Sequence, residues 1–308
     1  MSRRTLGLTI LAMGAVLITA PVRVRAAISE LSPGDTLTVY FTAETHGNLE
    51  PCSCPERQLG GLARRVAFLA QTHGKKDASL RLDAGGFLPI DDVPLRDDPA
   101  VATRFVKLLL RGLERSHYDA IALDLGQRQT LTRMAQAEAR VLAGGWMDAN
   151  PVAPPRLFKW NDTGVALLTV AAEVPSSVQE IAAADAREHA AGIPGVTRTL
   201  LIVMARANAS DGRSVARATS ADLVVLSLGA RPKQALREGA SVLVGAGMDG
   251  REVGEIKLTL DDGHWAFGPL QLHAMDSTQP EDPEIALSVE KTMTEDGVAL
   301  RASVLSRE

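Results

Sequence analysis

The stretch TLTVYFTAETHGNLEP, residues 36–51, begins as a strand and ends in polar side chains. Its first part, Thr36–Thr42, combines threonines with leucine, valine and aromatic residues, a composition typical of a β-strand. Glu44 and His46 follow directly, which places both side chains at the end of that strand. A helix is predicted over Gly61–Gln71, because its apolar residues recur on one face.

Strand-like and helix-like segments alternate along the rest of the chain. Short runs of Val, Leu, Ile and Thr predict strands at Ser79–Leu82, Ala120–Leu123, Val165–Val170, Thr199–Met204, Leu223–Leu228, Val242–Ala246 and Glu255–Leu260. Helical spacing predicts helices at Ala100–Arg115, Met134–Ala143, within Pro175–Pro194 and through Ile285 in the tail. Several strands are continuously apolar, which indicates sheets covered on both faces and therefore a layered α/β protein.

The composition is that of an ordinary globular protein. The 308 residues are 45% hydrophobic and 23% charged, which excludes low-complexity disorder, collagen and a polytopic membrane protein. The two cysteines, Cys52 and Cys54, are separated by a single residue, so they cannot link distant parts of the fold. Any role of the pair is therefore local.

Residues 1–27 have the pattern of a secretory signal peptide. A basic start, a short apolar run and an alanine exit at Ala26-Ala27 follow one another, and Arg3-Arg4 resembles a twin-arginine signal. An uncleaved anchor is the alternative, although the apolar run is short for a membrane span. We therefore expect a periplasmic or otherwise extracytoplasmic protein with no stable membrane span after cleavage. Without residues 1–26 the chain has 29 basic and 37 acidic residues, a net charge of −8, which argues against nucleic acid as a partner.

Several motifs, in chain order, resemble those of one superfamily. They are Glu44-Thr45-His46 followed by GGLARR at residues 60–65, Leu82–Gly86, Tyr118–Leu123, Ala221–Leu226 and the glycines between Val244 and Gly254. This order is similar to that of the 5′-nucleotidase family within the calcineurin-like metallophosphoesterases, over about residues 36–262. The resemblance implies a four-layered αββα sandwich, with residues 28–275 as a single domain and residues 276–308 as a helical tail.

The same resemblance implies hydrolysis by two metal ions, which need a bridging carboxylate and several His or Asn ligands. His46 and Asp83 match metal-ligand positions of that family, and Glu44 stands where the family has an aspartate, as a longer but still possible ligand. The bridging carboxylate is replaced by Gly86, and the later ligand segments correspond to Asp124–Gln127, Val203–Arg206 and Ser227–Ala230. The three remaining candidates are expected to hold at most one divalent ion, Zn, Mn or Fe, at a partial site.

The segment Cys52-Ser53-Cys54 interrupts the family pattern. It resembles a bacterial side branch of the 5′-nucleotidase-like proteins with a Cys-x-Cys, or selenocysteine-containing, loop at this place, which makes Cys52 and Cys54 the candidate catalytic residues. A strained disulfide would make the pair a thiol oxidant, for which Arg57, Arg64 and Arg65 could activate a thiol. The pair could instead bind Zn or Cu(I) with His46, form a permanent disulfide, or be inert.

These observations leave three functions open. The first is thiol redox chemistry or metal handling by the cysteine loop, with a periplasmic redox partner. The second is a working metal-dependent phosphohydrolase acting on nucleotides or other phosphomonoesters. The third is a non-catalytic binding or scaffold protein for an exported redox enzyme. Whether the chain is an enzyme is thus undecided by its residues alone.

Overall fold

Two mixed β-sheets and five helices make up the part of the chain that the computed structural model describes, residues 28–53, 56–73, 77–88, 99–123, 127, 146–148, 154–229 and 234–305. The strands are β1 Ile28–Glu30, β2 Thr36–Thr42, β3 Ala78–Asp83, β4 Ala120–Leu123, β5 Trp146–Asp148, β6 Arg156–Trp160, β7 Thr163–Ala171, β8 Arg198–Arg206, β9 Leu223–Leu226, β10 Leu236–Glu238, β11 Ser241–Gly245, β12 Glu252–Asp261, β13 His264–Phe267 and β14 Gln271–Ala274. The helices are α1 Leu62–Thr72, α2 Pro99–Arg115, α3 Ser176–Ala191, α4 Ala209–Thr219 and α5 Pro283–Leu305.

Each sheet contains four neighbouring parallel strands. The β2 sheet has the order β13-β12-β2-β3-β4-β5, with β14 also paired to β12, and its strands β2 to β5 are parallel. The β8 sheet has the order β1-β6-β7-β8-β9-β11-β10, and β7, β8, β9 and β11 are parallel. Because parallel strands end at the same edge, each sheet gathers several strand ends in one place.

Strand β8 explains why so many segments are continuously apolar. Its residues Leu200, Ile202 and Met204 face the core between the two sheets. The alternate residues Leu201, Val203 and Ala205 face the helices on the other side. Successive side chains of a strand point to opposite faces, so a strand buried on both sides needs apolar residues throughout.

The helices form the two outer layers. Helices α1, α2 and α5 pack on the β2 sheet through a cluster that includes Leu62, Phe105 and Ile285. Helices α3 and α4 pack on the β8 sheet through a second cluster that includes Ala186 and Val215. With the core between the sheets, this gives the four-layered αββα architecture that was predicted.

The predicted strands and helices are present within the described residues, mostly with bounds that differ by one to three residues. Helix α4 was missed, because its core contacts come from few apolar residues. Its N-cap, Asn208, accepts a hydrogen bond from Asp211 N at 2.9 Å. The predicted helix Met134–Ala143 and the predicted signal peptide, residues 1–27, lie outside the described residues. In the described part of the chain, no helix has the length and hydrophobicity that a membrane crossing requires.

Candidate functional site

The C-terminal ends of the parallel strands from both sheets meet at one cleft. In the β2 sheet, Thr42 pairs with Asp83 at the ends of β2 and β3. In the β8 sheet, Ala205 pairs with Leu226 at the ends of β8 and β9. Between these edges lies a small, solvent-open cleft, lined by Glu44, residues 84–86, Ala122, Leu123, Met204, Arg206 and Ser227. Two of the predicted site residues, Glu44 and His46, lie together at this edge.

His46 is held between two carboxylates. Its Nε2 lies 2.7 Å from Oε2 of Glu44, and its Nδ1 lies 3.0 Å from Oδ1 of Asp249. Burial alone would lower the pKa of His46, but the hydrogen bonds and charges of Asp249 and Glu44 raise it to about 9. At neutral pH the ring is therefore an imidazolium that donates to both acids, and neither ring nitrogen has a free lone pair.

Glu44 occupies the space beside Gly86. A Cβ atom on Gly86 would lie 2.5 Å from Oε1 of Glu44, and Gly86 itself has a φ of 74°. Any side chain at position 86 would therefore collide with the Glu44 carboxylate unless that carboxylate moved. The absence of a side chain at position 86 is thus matched to the position of the Glu44 carboxylate.

Asp83 is fully buried and its oxygens have partners. The Thr42 hydroxyl donates to its Oδ2 at 2.7 Å, and Gly85 N–H donates to its Oδ1 at 2.9 Å. Tyr118 in turn donates to the Thr42 hydroxyl at 2.7 Å. Burial raises the pKa of Asp83 to about 6, against these hydrogen bonds and the nearby charge of Arg65. Asp83 therefore belongs to a buried network beneath the strand ends.

Arg65 is the fixed cation of that network. Its side chain is almost completely buried, it hydrogen-bonds Tyr118, and its charge acts on Asp83. A Cβ atom on Gly250 would fall within 1.9 Å of its Nη1, so the turn after β11 must carry a glycine at that point. Burial raises the pKa of Tyr118 well above its usual range, so the phenol stays protonated as a donor.

The β8 sheet contributes different groups to the cleft. Arg206 ends β8, and Ser227 follows β9 with its N–H donating to the Ala205 carbonyl at 3.0 Å. Ser227 is buried, and its hydroxyl has no hydrogen-bond partner within the described structure. On the opposite wall, the Gln127 amide can turn its oxygen toward the N–H groups of Gly86 and Phe87, each at 3.2 Å.

The first cysteine lies in a tight loop beside the strand ends. Pro51 and Gly60 form an antiparallel bridge that closes this cysteine loop, residues 51–60. Within it the Leu59 N–H donates to Sγ of Cys52 at 3.4 Å, and the Arg57 carbonyl lies 3.8 Å from the same sulfur. Cys54 lies outside the described residues, so its distance from Cys52 is untested.

The arginines that were expected near the cysteines have separate partners. Arg57 Nε donates to Oδ2 of Asp276 at 3.1 Å, which attaches the cysteine loop to the segment after β14. Arg64 pairs with Glu281 at 3.1 Å, and Arg65 lies in the buried network described above. The loop also touches the site, because a Cβ on Gly60 would lie 3.3 Å from the Asp249 carbonyl.

Sequence reasoning missed Asp249, the second partner of His46. Its only signal is its place in the glycine-rich turn Gly247–Gly250, where it has a φ of 62°. In the described residues, no group of three or more His, Cys, Asp and Glu side chains is gathered closely enough to hold a metal ion. Glu44 and His46 bond each other, whereas Asp83 is engaged with Thr42 and Gly85.

Solved structures show what the fold resembles. The chain superposes on a 5′-nucleotidase precursor from Thermus thermophilus with a TM-score of 0.62 and 18% identity, covering 85% of this chain and 59% of that one. For the sulfate thiohydrolase SoxB from the same organism the TM-score is 0.65 and the identity is 12%, over 85% of this chain and 61% of that one. For the calcineurin-like phosphoesterase YfkN from Bacillus subtilis the TM-score is 0.55 and the identity is 14%, over 84% of this chain and 97% of that one.

The likeness is one of structure rather than sequence. No family model and no curated protein matches the chain. The chain spans about three fifths of the length of the first two structures. At these identities the comparison establishes the architecture, in agreement with the two sheets and outer helices described above. The chain therefore has a 5′-nucleotidase-like metallophosphoesterase fold.

Proposed function

We propose that this chain is an exported protein of metallophosphoesterase fold that carries out thiol–disulfide exchange through Cys52 and Cys54, beside a dimetal centre that has lost most of its ligands. The observation that carries the proposal is the placement of the Cys52 sulfur. The sulfur accepts a hydrogen bond from the Leu59 N–H, inside the loop that the Pro51–Gly60 bridge closes. Gly60 of this loop lies beside Asp249 of the strand-end site.

The chemistry of the donor set supports a degenerate metal centre. A two-metal site needs a bridging carboxylate, but the space beside Gly86 is filled by Glu44. Both nitrogens of His46 are bonded to carboxylates, and the β8 sheet presents Met204, Arg206 and Ser227 where further ligands would be required. A guanidinium is always charged and cannot ligate, so these residues do not fit two metal ions.

The geometry of the cysteine loop supports a reactive thiol. The Leu59 N–H donates to the Cys52 sulfur and so fixes its position within the loop, and the thiolate of such a sulfur is the nucleophile in thiol exchange. The Arg57–Asp276 pair holds the loop from one side, and the Gly60 N–H donates to the Met275 carbonyl at 2.8 Å on the other. Cys52 is half-buried, so a partner can approach the residue.

The proposed reaction balances with a protein disulfide as the oxidant. The Cys52 thiolate attacks one sulfur of the partner disulfide and forms a mixed disulfide, while the other partner sulfur leaves as a thiolate. The Cys54 thiolate then attacks Sγ of Cys52, which releases the second partner thiolate. The pair loses two electrons and two protons, and the partner becomes a dithiol. The reverse sequence reduces the cysteine loop.

Mass spectrometry of alkylated protein tests this proposal. We expect the purified chain, equilibrated in glutathione buffers of graded potential, to change reversibly from two alkylated thiols to none. Cys52→Ser and Cys54→Ser should abolish the two-electron change, whereas Ser53→Ala should retain it. Cysteines that stay in one state across physiological potentials would overturn the proposal. One equivalent of Zn or Cu(I) bound by the wild type and lost in Cys52→Ser would replace redox chemistry with metal handling.

Export rests on the signal-like pattern of residues 1–27. Expression in a bacterium with a fractionated periplasm tests it. The protein should be recovered from the periplasm, and its intact mass should correspond to a new N-terminus near Ala27. Recovery of the full-length mass from the cytoplasm would contradict export without affecting the thiol proposal.

A further inference from the structure

The two walls of the strand-end cleft differ in which groups they leave unsatisfied. On the wall formed by the β2 sheet, the carboxylate of Glu44 already has a donor close to it, from His46. On the wall formed by the β8 sheet, the buried hydroxyl of Ser227 has no hydrogen-bond partner within the described structure. A buried polar group without a partner is costly and points to an absent ligand.

Arg206 stands next to that hydroxyl. Ala205 pairs with Leu226, so the following residues, Arg206 and Ser227, leave adjacent strands at the same level of the sheet. Both line the cleft. The Arg206 guanidinium lies 3.7 Å from Glu173, in a pair exposed enough for water to screen. A guanidinium carries five N–H donors, so it can contact Glu173 and a ligand in the cleft at the same time.

The donors on this wall define the chemistry of the ligand. A guanidinium offers parallel N–H donors that suit a carboxylate, sulfate or phosphate group, and a serine hydroxyl can add one more donor. Glu44 on the opposite wall disfavours a second negative group, although its charge is shared with His46. We propose that Arg206 and Ser227 form a metal-independent subsite for one small oxyanion group in the strand-end cleft.

This subsite does not depend on the cysteine loop. It also reverses the arrangement expected for a dimetal centre, in which metal cations on the strand ends attract the anion. Here the cation is the guanidinium of Arg206, on the β8 sheet, and no metal takes part. The anion is either free in solution or one end of a larger molecule, and these sources share the same contacts.

Calorimetric titration of the full chain with inorganic phosphate, sulfate and acetate, at constant ionic strength and with EDTA present, tests the subsite. We expect saturable binding of at least one anion. In a separate thermal unfolding measurement, the same anion should raise the midpoint of unfolding. Arg206→Gln should weaken that binding by about tenfold or more, as expected for loss of a charged hydrogen bond. Arg198→Gln, at the opposite end of β8, is the matched control and should bind as the wild type does.

Ser227→Ala gives a second readout that a structural role would not produce. Removing the unpaired hydroxyl should leave the midpoint of the anion-free protein unchanged or raised, while anion affinity falls. Cys52→Ser should bind the anion normally, so failure of the thiol proposal and failure of this one are separable. Equal affinity in the wild type and Arg206→Gln, no saturable binding of any of the three anions, or binding seen only in a parallel titration without EDTA would each overturn the subsite.

Discussion

At the residue scale, the pairing of Gly86 with Glu44 determines the shape of the strand-end site. Gly86 has a positive φ, and its missing side chain provides the room in which the Glu44 carboxylate reaches His46. The motif resemblance predicts both residues as departures from the pattern, but it does not predict their connection. That connection requires the two loops after β2 and β3 to lie side by side, which the Glu44 N–H to Gly85 carbonyl bond of 2.8 Å accomplishes.

Substituting Gly86 measures this fit. We expect Gly86→Ala to lower the free energy of unfolding by about 3 kcal/mol, because the new methyl group adds a collision with Glu44 to the strain of a positive φ. Gly239→Ala is the matched control: its φ is 58° and a Cβ there would meet nothing within 4 Å. The control should cost about 1 kcal/mol. Denaturant unfolding compares the two, and equal losses would show that the space beside Gly86 is not decisive.

At the element scale, the Arg57–Asp276 pair attaches the cysteine loop to the segment after β14. Asp276 accepts from the Thr278 hydroxyl at 2.5 Å and from the guanidinium of Arg57. These two partners hold the pKa of Asp276 well below its usual range. Because Arg57 is five residues from Cys52, this carboxylate couples the segment after β14 to the position of the loop.

The ionisation of Asp276 should appear in the pH dependence of stability. A carboxylate with a depressed pKa stabilises the fold above its unfolded pKa of about 3.9, and this contribution is lost as the pH falls toward the folded value. Asp276→Asn should therefore unfold at a lower temperature than the wild type at pH 6, with the difference shrinking toward pH 2. Asp35→Asn, at an exposed position, is the control. A difference that stays constant with pH would contradict the charge argument.

At the scale of the whole molecule, the predicted tail is packed into the outer helical layer. Asp282 caps α5 by accepting from the N–H groups of Glu284 and Ile285 at 3.1 and 3.0 Å, and its other oxygen accepts from Arg115 of α2. Ile285 is completely buried among residues of α1 and α2. The tail thus covers one face of the β2 sheet together with the other two helices.

Truncation of side chains on α5 tests how much this packing contributes. Ile285→Ala should lower the free energy of unfolding by about 3 kcal/mol, the usual cost of emptying a buried aliphatic site. Leu287→Ala, on the same helix with 67% of the residue exposed, should change it by less than about 0.5 kcal/mol. Both are measured by denaturant unfolding. Similar small effects at the two positions would mean that the tail is not an integral part of the domain.

The sequence by itself determined the positions and types of most elements and their order in the fold. Runs such as Leu223–Leu226 are apolar throughout because both faces of the sheet are covered, and that signal is contained in a few consecutive residues. Helix α4 escaped prediction because it buries few apolar side chains. Glu44, His46 and Asp83 were identified at strand ends from their motifs, and the structure places them there.

Only the tertiary structure decided what those residues contact. His46 bonds Asp249, which is 203 positions away, and Arg206 and Ser227 face Glu44 across the cleft because two separate sheets end at one edge. Arg65 looks like an ordinary surface residue of an amphipathic helix until the fold buries it near Asp83. Hydrophobic periodicity is a local property of the chain, whereas the pairing of charges and donors depends on which distant strand ends the packing brings together.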